Sequence, residues 1–420
     1  METKNIYFPK LKDVNKAATT LKEVVAVTPL MLNYTFSNKY ETNVFLKRED
    51  LQQVRSYKIR GAYNKISSLT KEELINGIVC ASAGNHAQGV ALACKKKEIQ
   101  GTIFMPAPTP KQKLEQVKMF GGEFIDIQLT GDTFDDAYKA AKFIADSLGK
   151  TFVHPFDDEK IIEGQATVGL EILEQANESV DYVFVPVGGG GLASGLSSVF
   201  KLISPTTKII GVEPEGAASM QQAIANNKNV KLSEIDKFVD GAAVQQVGDL
   251  TYKICKENLD DMITVPEGKV CQTILDMYNK DAIVVEPAGA LTLAALDAFK
   301  GEIKGKNVVC VISGSNNDIT RTAEIKERAL LYGGLKHYFI IRFPQRAGAL
   351  KEFVIDVLGK NDDITFFEYS KKTSRENGPA VVGVELEKKE DLSPLIARMK
   401  ERNFYGEYLN NKPNLFEFLV

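Results

Sequence analysis

The chain has 420 residues, 44% of them hydrophobic, with 52 Lys and Arg against 55 Asp and Glu and a formal charge of −3. That is material for two or three domains of roughly 100 to 200 residues, and the near-neutral balance without a long basic block argues against a nucleic-acid footprint. No apolar run approaches the roughly 18 residues that span a bilayer, and the opening METKNIYFPKLKD lacks the apolar core of a signal peptide. A cytoplasmic protein is expected, with small molecules and further copies of itself as partners.

From about residue 40 to 331, short β-rich runs alternate with longer segments of helical period, which indicates a largely parallel sheet covered by helices. The first chemistry-bearing stretch is SYKIRGAYNKI, residues 56 to 66. Ser56 is placed to cap a helix with the apolar face Ile59, Ala62, Tyr63, Ile66 and Leu69. Lys58 then falls in the first turn, where the macrodipole disfavours positive charge. Desolvation by Tyr57 and Ile59 and the like charge of Arg60 push the same way, toward a neutral amine able to attack an aldehyde. A lone lysine at a helix start is usually only a solvated surface group.

The strand GIVCAS (77 to 82) runs into SAGNHAQG, Ser82 to Gly89, and an alanine-rich helix. Ser82, Asn85 and the loop amides offer hydrogen bonds to a carboxylate or a hydroxyl at a helix N-terminus. A plain cap is the alternative for Asn85, and His86 is either a base or a packed, orienting residue. Strands at 101 to 105 and 123 to 129 and a helix at 132 to 148 follow. The strand DYVFVPV, 181 to 187, ends in Gly188, Gly189, Gly190 and Gly191 ahead of a helix beginning near Leu192. Residues without Cβ let consecutive N–H groups converge on a phosphate.

The same run meets the G-x-G-x-x-G/A spacing at Gly188, Gly190 and Ala193, and Glu213 ends the next strand (207 to 213) where a ribose-binding acid belongs, so NAD stays open as a ligand. No GKS or GKT follows, which speaks against a P-loop NTPase. Glu286, in VVEPAGA, is either a cleft carboxylate or an acid at the start of the helix 287 to 299. After the strand 306 to 312, SGSNND puts Ser313 at the strand end, where it faces a ligand or caps a helix beyond Asn316. About 290 residues is large for one core, so two α/β lobes with a ligand between them are expected. Cys80, Cys94, Cys255, Cys271 and Cys310 lack CxxC spacing and lie in apolar stretches, which reads as reduced and structural.

The pattern changes after Tyr332-Gly333-Gly334. HYFIIRF reads as a strand, RAGALKEFVIDVL as a helix, ITFFEYSKK as a strand, SRENGP as a hairpin turn, AVVGVELE as a strand and SPLIARMKER as a helix. A last strand at 404 to 408 completes a βαββαβ unit of roughly 85 residues.

SYKIRGA, SAGNHAQG, VGGGGL, EPAGA and SGSNND, in this order and spacing, closely resemble the threonine deaminase (threonine dehydratase) family over essentially the whole chain. The resemblance implies an α/β, two-lobed tryptophan-synthase-β-like fold (fold type II) at 1 to 331, its smaller lobe at roughly 80 to 155. One ACT-like regulatory domain at 336 to 420 follows, where the long form has two. It also implies pyridoxal 5′-phosphate as cofactor and α,β-elimination of L-threonine, more weakly L-serine, to 2-oxobutanoate and ammonia at the start of isoleucine biosynthesis. At the matching positions, Lys58 would bond the cofactor aldehyde and take the Cα proton, and Asn85 would meet the 3′-oxygen. Gly188, Gly189, Gly190, Gly191 and Leu192 would hold the phosphate, and Ser313, with Ser315 as the alternative, would face the pyridine nitrogen. Ser82, Ala83, Gly84 and His86 would surround the substrate carboxylate, while Tyr57 and Gly241 would lie near the ring.

A serine at the ring nitrogen, in place of the Asp of many such enzymes, would weaken the electron sink and favour prompt loss of the β-group over transamination. Serine racemases of this fold carry a second serine where Ala83 stands and a metal-site acid where Ser219 stands, so neither racemisation nor a divalent metal is expected; a monovalent ion is left open. The C-terminal unit implies inhibition by isoleucine and a homo-oligomer, dimer or tetramer. Its loop FPQRAG, 343 to 348, offers at Gly348 a close backbone approach for an amino-acid effector, with a ligand-free oligomerisation domain as the alternative.

Overall fold

The computed structural model describes residues 6–369, 377–412 and 414–416 and divides into two compact units, 1–319 and 320–420. The division falls ahead of the expected boundary at 331, so the helix Thr322–Gly333 goes with the second unit. No helix among the described residues is long and apolar enough to cross a membrane.

The first unit holds two sheets. In the larger, the strand order is Leu30–Leu32, Asn43–Arg48, Asn307–Ile312, Tyr182–Pro186, Lys208–Pro214 and Asp261–Val265. Only the first of these runs antiparallel to its neighbour. The smaller sheet is wholly parallel, in the order Ile125–Leu129, Gly101–Met105, Ile78–Ala81 and Thr151–Phe152. The central strands are buried along their length, which is why they read as continuous apolar runs rather than alternating ones. Leu30–Leu32, Asn43–Arg48, Thr151–Phe152 and Asp261–Val265 had no such signal and were not anticipated.

Parallel strands bring their carboxyl ends to one edge, and ligands collect in the crevice outside those ends. The loops after Ala81, Pro186 and Ile312 all leave from such ends. The register that sets Val308 beside Tyr182 and Val309 beside Val183 brings the ends of the second and third of those strands level. Ser313 therefore emerges next to the glycine run.

The second unit has four antiparallel strands in the order Asp363–Tyr369, Asn377–Glu385, Lys336–Pro344 and Tyr405–Tyr408. With the helices Ala349–Glu352 and Leu392–Glu401 it forms the βαββαβ arrangement. Phe343, Phe353 and Phe404 meet edge to face at the centre of its core, with centroids 5.4 to 5.5 Å apart. The first helix starts at Ala349 rather than Arg346, because Gly348 at φ +85° holds the preceding loop in a left-handed turn, and it widens into π-type turns over Phe353–Val357. Of the hairpin turn expected at 374 to 379, residues 374 to 376 lie outside the described residues, and Asn377, Gly378 and Pro379 belong to the strand Asn377–Glu385 rather than to the turn.

Candidate active site

Lys58 opens the helix Lys58–Ser67, which buries Ile59, Ala62, Tyr63 and Ile66 as its apolar period requires, while Leu69 lies past the last turn. Its start differs from the expected cap. Ser56 forms an isolated antiparallel bridge with Gly314 and its hydroxyl is buried without a partner among the described residues, so Tyr57 holds the N-cap position. The Tyr57 amide donates to the carbonyl of Ser313 at 3.2 Å, tying the lysine helix to the strand end that carries Ser313. On its other side, a Cβ at Gly89 would stand 3.1 Å from the Lys58 carbonyl, and glycine there lets the helix Asn85–Lys97 lie against the lysine's backbone.

The Lys58 amine is half-buried and donates to the carbonyl of Pro155 at 3.0 Å. Burial lowers its pKa from 10.5 to about 8, against the opposing pull of Glu286. Arg60 plays no part in that shift, contrary to the reading from sequence. Its guanidinium, 1% exposed, is bonded to Glu49, Glu171 and Thr167, which compensate its charge.

Tyr57, Lys58, Asn85, Gly188, Glu286 and Ser313 line one pocket, with Gly241 in its wall. Asn85 is the first residue of its helix rather than a cap. Gly84 takes the cap position without a side-chain bond, and the Asn85 amide nitrogen donates to Glu286 Oε1 at 2.7 Å. Ser82 Oγ accepts from the Gly84 amide at 3.2 Å, and a Cβ on Gly84 would meet nothing within 4 Å. Space is therefore open beside Gly84, while Ala83 packs against the core.

Of the two alternatives for the His86 side chain, the structure favours the packed, orienting residue over the base. Its ring is buried with Nε2 3.0 Å from the carbonyl of Val153, and burial, then Lys58, lowers its pKa to about 3. A carbonyl only accepts, so Nε2 carries the proton on a neutral ring. The ring orients the turn, and His86 presents only its backbone N–H to the loop.

In the glycine run, Gly190 sits at φ +91° as the N-cap of the helix Gly191–Ile203. None of the amides of Gly188, Gly189, Gly190, Gly191 and Leu192 donates to a protein acceptor among the described residues, although Gly189 to Leu192 are buried. Buried amides without partners are rare, and four in succession, with that of half-buried Gly188 before them, at the positive end of a helix are a fitting cradle for a phosphate dianion. The loop is held from outside: Thr251 Oγ1 donates to the Gly189 carbonyl at 2.6 Å, and the Phe156 ring fills the space a Cβ on Gly189 would enter, 2.1 Å away.

The two candidates beyond the last strand separate. Ser313 lines the pocket and its hydroxyl bonds no protein group among the described residues, whereas Ser315 donates to the carbonyl of Asp50 at 3.3 Å. Glu213 is fully buried and accepts from the amides of Met220 and Gln221 at 2.7 and 2.9 Å; burial raises its pKa to about 8. It caps the helix Ser219–Ala225 from within and presents no oxygen to a ribose, so the dinucleotide reading falls.

An amine of lowered pKa, unpaired amides at a helix start and a free hydroxyl match the aldehyde, phosphate and ring nitrogen of pyridoxal phosphate in kind. Sequence reasoning overlooked the segment Val153–Asp158, whose carbonyls hold His86 and Lys58 and whose Asp157 accepts from the amides of Asp249, Leu250 and Thr251 at 3.0 to 3.1 Å. The Asp-Asp pair just ahead of a helix was the available signal.

Residues 21–314 match the family model described as pyridoxal-phosphate dependent enzyme, and residues 327–419 that of the C-terminal regulatory domain of threonine dehydratase. The chain is 56% identical to the biosynthetic L-threonine dehydratase IlvA of Halalkalibacterium halodurans over 98% of this chain and 99% of that protein. Among solved structures, the processed form of threonine deaminase isoform 2 from Solanum lycopersicum superposes with a TM-score of 0.72 at 40% identity, covering 77% of this chain and 95% of that one. Maize serine racemase gives 0.71 at 32% identity, over 78% and 99%. The chain belongs to the pyridoxal-phosphate-dependent enzymes and, among them, to the threonine dehydratase family that carries a C-terminal regulatory domain.

Proposed function

We propose that the chain eliminates the β-hydroxyl of L-threonine, and more weakly that of L-serine, releasing 2-oxobutanoate and ammonia from threonine at the start of isoleucine biosynthesis in the cytoplasm. The observation that carries this reading is one pocket in which Lys58, Asn85 and Ser313 stand with Gly188, the first of five successive residues whose amides meet no protein acceptor among the described residues. Bound there, pyridoxal phosphate supplies an aldehyde and a conjugated ring that spreads the negative charge developing at Cα.

The residues of the chain do the rest. The Lys58 amine, neutral above about pH 8, takes the Cα proton and holds it. Ser313 donates to the ring nitrogen and cannot charge it, which favours early departure of the β-hydroxyl as water. The amides of Ala83, Gly84, Asn85 and His86 orient the substrate carboxylate at the helix start. Ala83 brings no hydroxyl to the opposite side of Cα, so no second acid returns the proton there; this favours the lyase over a racemase.

The C-terminal unit, from the Gly333-Gly334 turn onward, is assigned the binding of isoleucine as an inhibitor. Gly348, at φ +85° with no heavy atom of the described residues within 4 Å of a Cβ built there, offers room in the 343 to 348 loop. Assembly as a homo-oligomer, dimer or tetramer, transmits the effect. Purified protein is expected to show a visible absorption band that Lys58→Ala abolishes, to release 2-oxobutanoate from threonine, and to lose isoleucine inhibition when the chain ends at Gly334. A colourless protein that binds NAD, or a coloured one inert toward threonine and serine, refutes the catalytic reading. Equal inhibition of the full and shortened chains refutes the regulatory one.

A further inference from the structure

Glu286 holds the N-cap position of the helix Pro287–Ala294 without capping it through its side chain. The residue is 4% exposed and its carboxylate turns into the pocket. Both oxygens are engaged: Oε1 accepts from Asn85 Nδ2 at 2.7 Å and Oε2 from the amide of Asn316 at 3.2 Å. Asn316 Nδ2 in turn donates to Asn85 Oδ1 at 2.5 Å and to the carbonyl of Val54 at 3.0 Å.

Two helix starts and a loop thus close a ring, and the ring leaves the Asn85 amide a single orientation, oxygen toward Asn316 and nitrogen toward Glu286. An amide nitrogen carries two hydrogens, and Glu286 takes one. Glycines on two loops make the space: a Cβ on Gly314 would stand 2.4 Å from Oε1 and one on Gly241 3.3 Å away. No cation pairs with the carboxylate among the described residues. Burial, then the Asp240 charge, raises its pKa to about 7 against the pull of its two hydrogen bonds and Lys113, and its charge acts in turn on Lys58 and Tyr57.

Resting on the reading of this pocket as the pyridoxal phosphate site, we propose that Glu286 is a positioning residue that locks the Asn85 amide with its second N–H free for the cofactor's phenolic oxygen. It acts through Asn85 and not on the reacting atoms. A carboxylate suits the place because both of its neighbours donate; a carboxamide satisfies one of them and sets its own NH2 against the other.

The test is a double-mutant cycle on cofactor affinity, read without substrate by titrating the full-length apoprotein with pyridoxal phosphate and following the visible band. Asn85→Ala and Glu286→Ala are each expected to weaken binding about tenfold, and Glu286→Ala to add nothing in the Asn85→Ala background. Glu286→Gln, which still accepts from Asn85, keeps most of the affinity. It also moves the pH at which Lys58 becomes reactive downward, because the carboxylate's pull is gone. Should Glu286→Ala fail to fold, Asn316→Ala opens the ring from its other side and is expected to be equally silent once Asn85 is alanine. Losses that add, or a Glu286→Ala protein with wild-type affinity, overturn the inference alone. Wild-type affinity in Asn85→Ala overturns the assignment of Asn85 and the inference with it.

Discussion

Replacing Arg60 by methionine probes the electrostatics beneath the lysine helix. The guanidinium donates to Glu49 twice at 2.8 Å, to Glu171 at 2.6 and 2.8 Å and to the Thr167 hydroxyl at 3.0 Å. Methionine fills much of the volume and restores none of these bonds. It leaves Glu49, fully buried, with the Thr28 hydroxyl at 2.5 Å and Gln52, while Glu171 keeps Lys47 at 2.6 Å. Removing one partner from a buried ion network costs about 3 to 5 kcal/mol, and Arg60→Met is expected to lose that much at pH 7 in urea unfolding followed by circular dichroism.

The pH dependence follows from Glu49. Burial pushes its carboxyl up, but Arg60 prevails and holds it below the usual 4.5, so its stabilising effect is present above that value and fades as pH falls through the folded one. Without the cation the carboxyl protonates at higher pH, and the gap between wild type and variant narrows as pH drops toward about 5. Adding Glu49→Gln removes the orphaned charge and recovers about half of the loss. A loss under about 1 kcal/mol, or an equal loss at low and neutral pH, refutes a desolvated network. The pH at which Lys58 becomes reactive is expected to stay put, because a compensated Arg60 does not act on it.

Other outcomes follow from the same geometry. The rate at which the apoprotein recombines with pyridoxal phosphate is expected to rise through about pH 8, where Lys58 loses its proton; a midpoint near 10.5 refutes the buried amine. His86 and His154 are held neutral by burial down to about 3 and about 4, and both take up protons on unfolding below 6.5, so stability falls as pH drops from 6.5 toward 4. Denaturant midpoints flat over that range contradict it. Gly189→Ala drives a Cβ to 2.1 Å from the Phe156 ring and is expected to reduce cofactor affinity at least about tenfold. Gly84→Ala meets nothing within 4 Å, so it folds normally and raises KM for threonine instead. Lys113–Asp240 at 2.7 Å and Lys231–Asp135 at 2.9 Å join the smaller lobe to loops of the larger one. Each is exposed enough that Lys113→Ala shifts stability by less than about 1 kcal/mol, while KM becomes less sensitive to salt.

The parts of the site that read directly from sequence are those whose signal is local. Lys58, the Ser82 loop, the glycine run and Ser313 each follow or open a regular element, so an apolar run beside Gly, Ser or Lys marks them. What misled was side-chain direction. Ser56 has the residue type of a cap, yet it is bridged to Gly314. Arg60 faces carboxylates 11 and 111 residues away, and the His86 ring answers a carbonyl 67 residues on. Glu213 has the position of a ribose acid, but the helix seven residues later turns its own amides onto it. Tertiary partners overrule local residue type in each case, and no local pattern records them.

The segment Val153–Asp158 shows what that means for the chemistry. Its carbonyls fix the His86 ring and receive the Lys58 amine. Its Phe156 ring abuts Gly189, and Asp157 caps the helix whose Thr251 bonds the Gly189 carbonyl. Asp158 then caps the helix Glu159–Gln175, which carries the Glu171 that holds Arg60. One stretch of six residues thus reaches the helix start behind the Ser82 loop, the lysine, the glycine run and the buried ion network. The first turn of the lysine helix and the glycine run lean on the same short stretch of backbone, and that shared support sets an amine of lowered pKa in one pocket with the start of the glycine run.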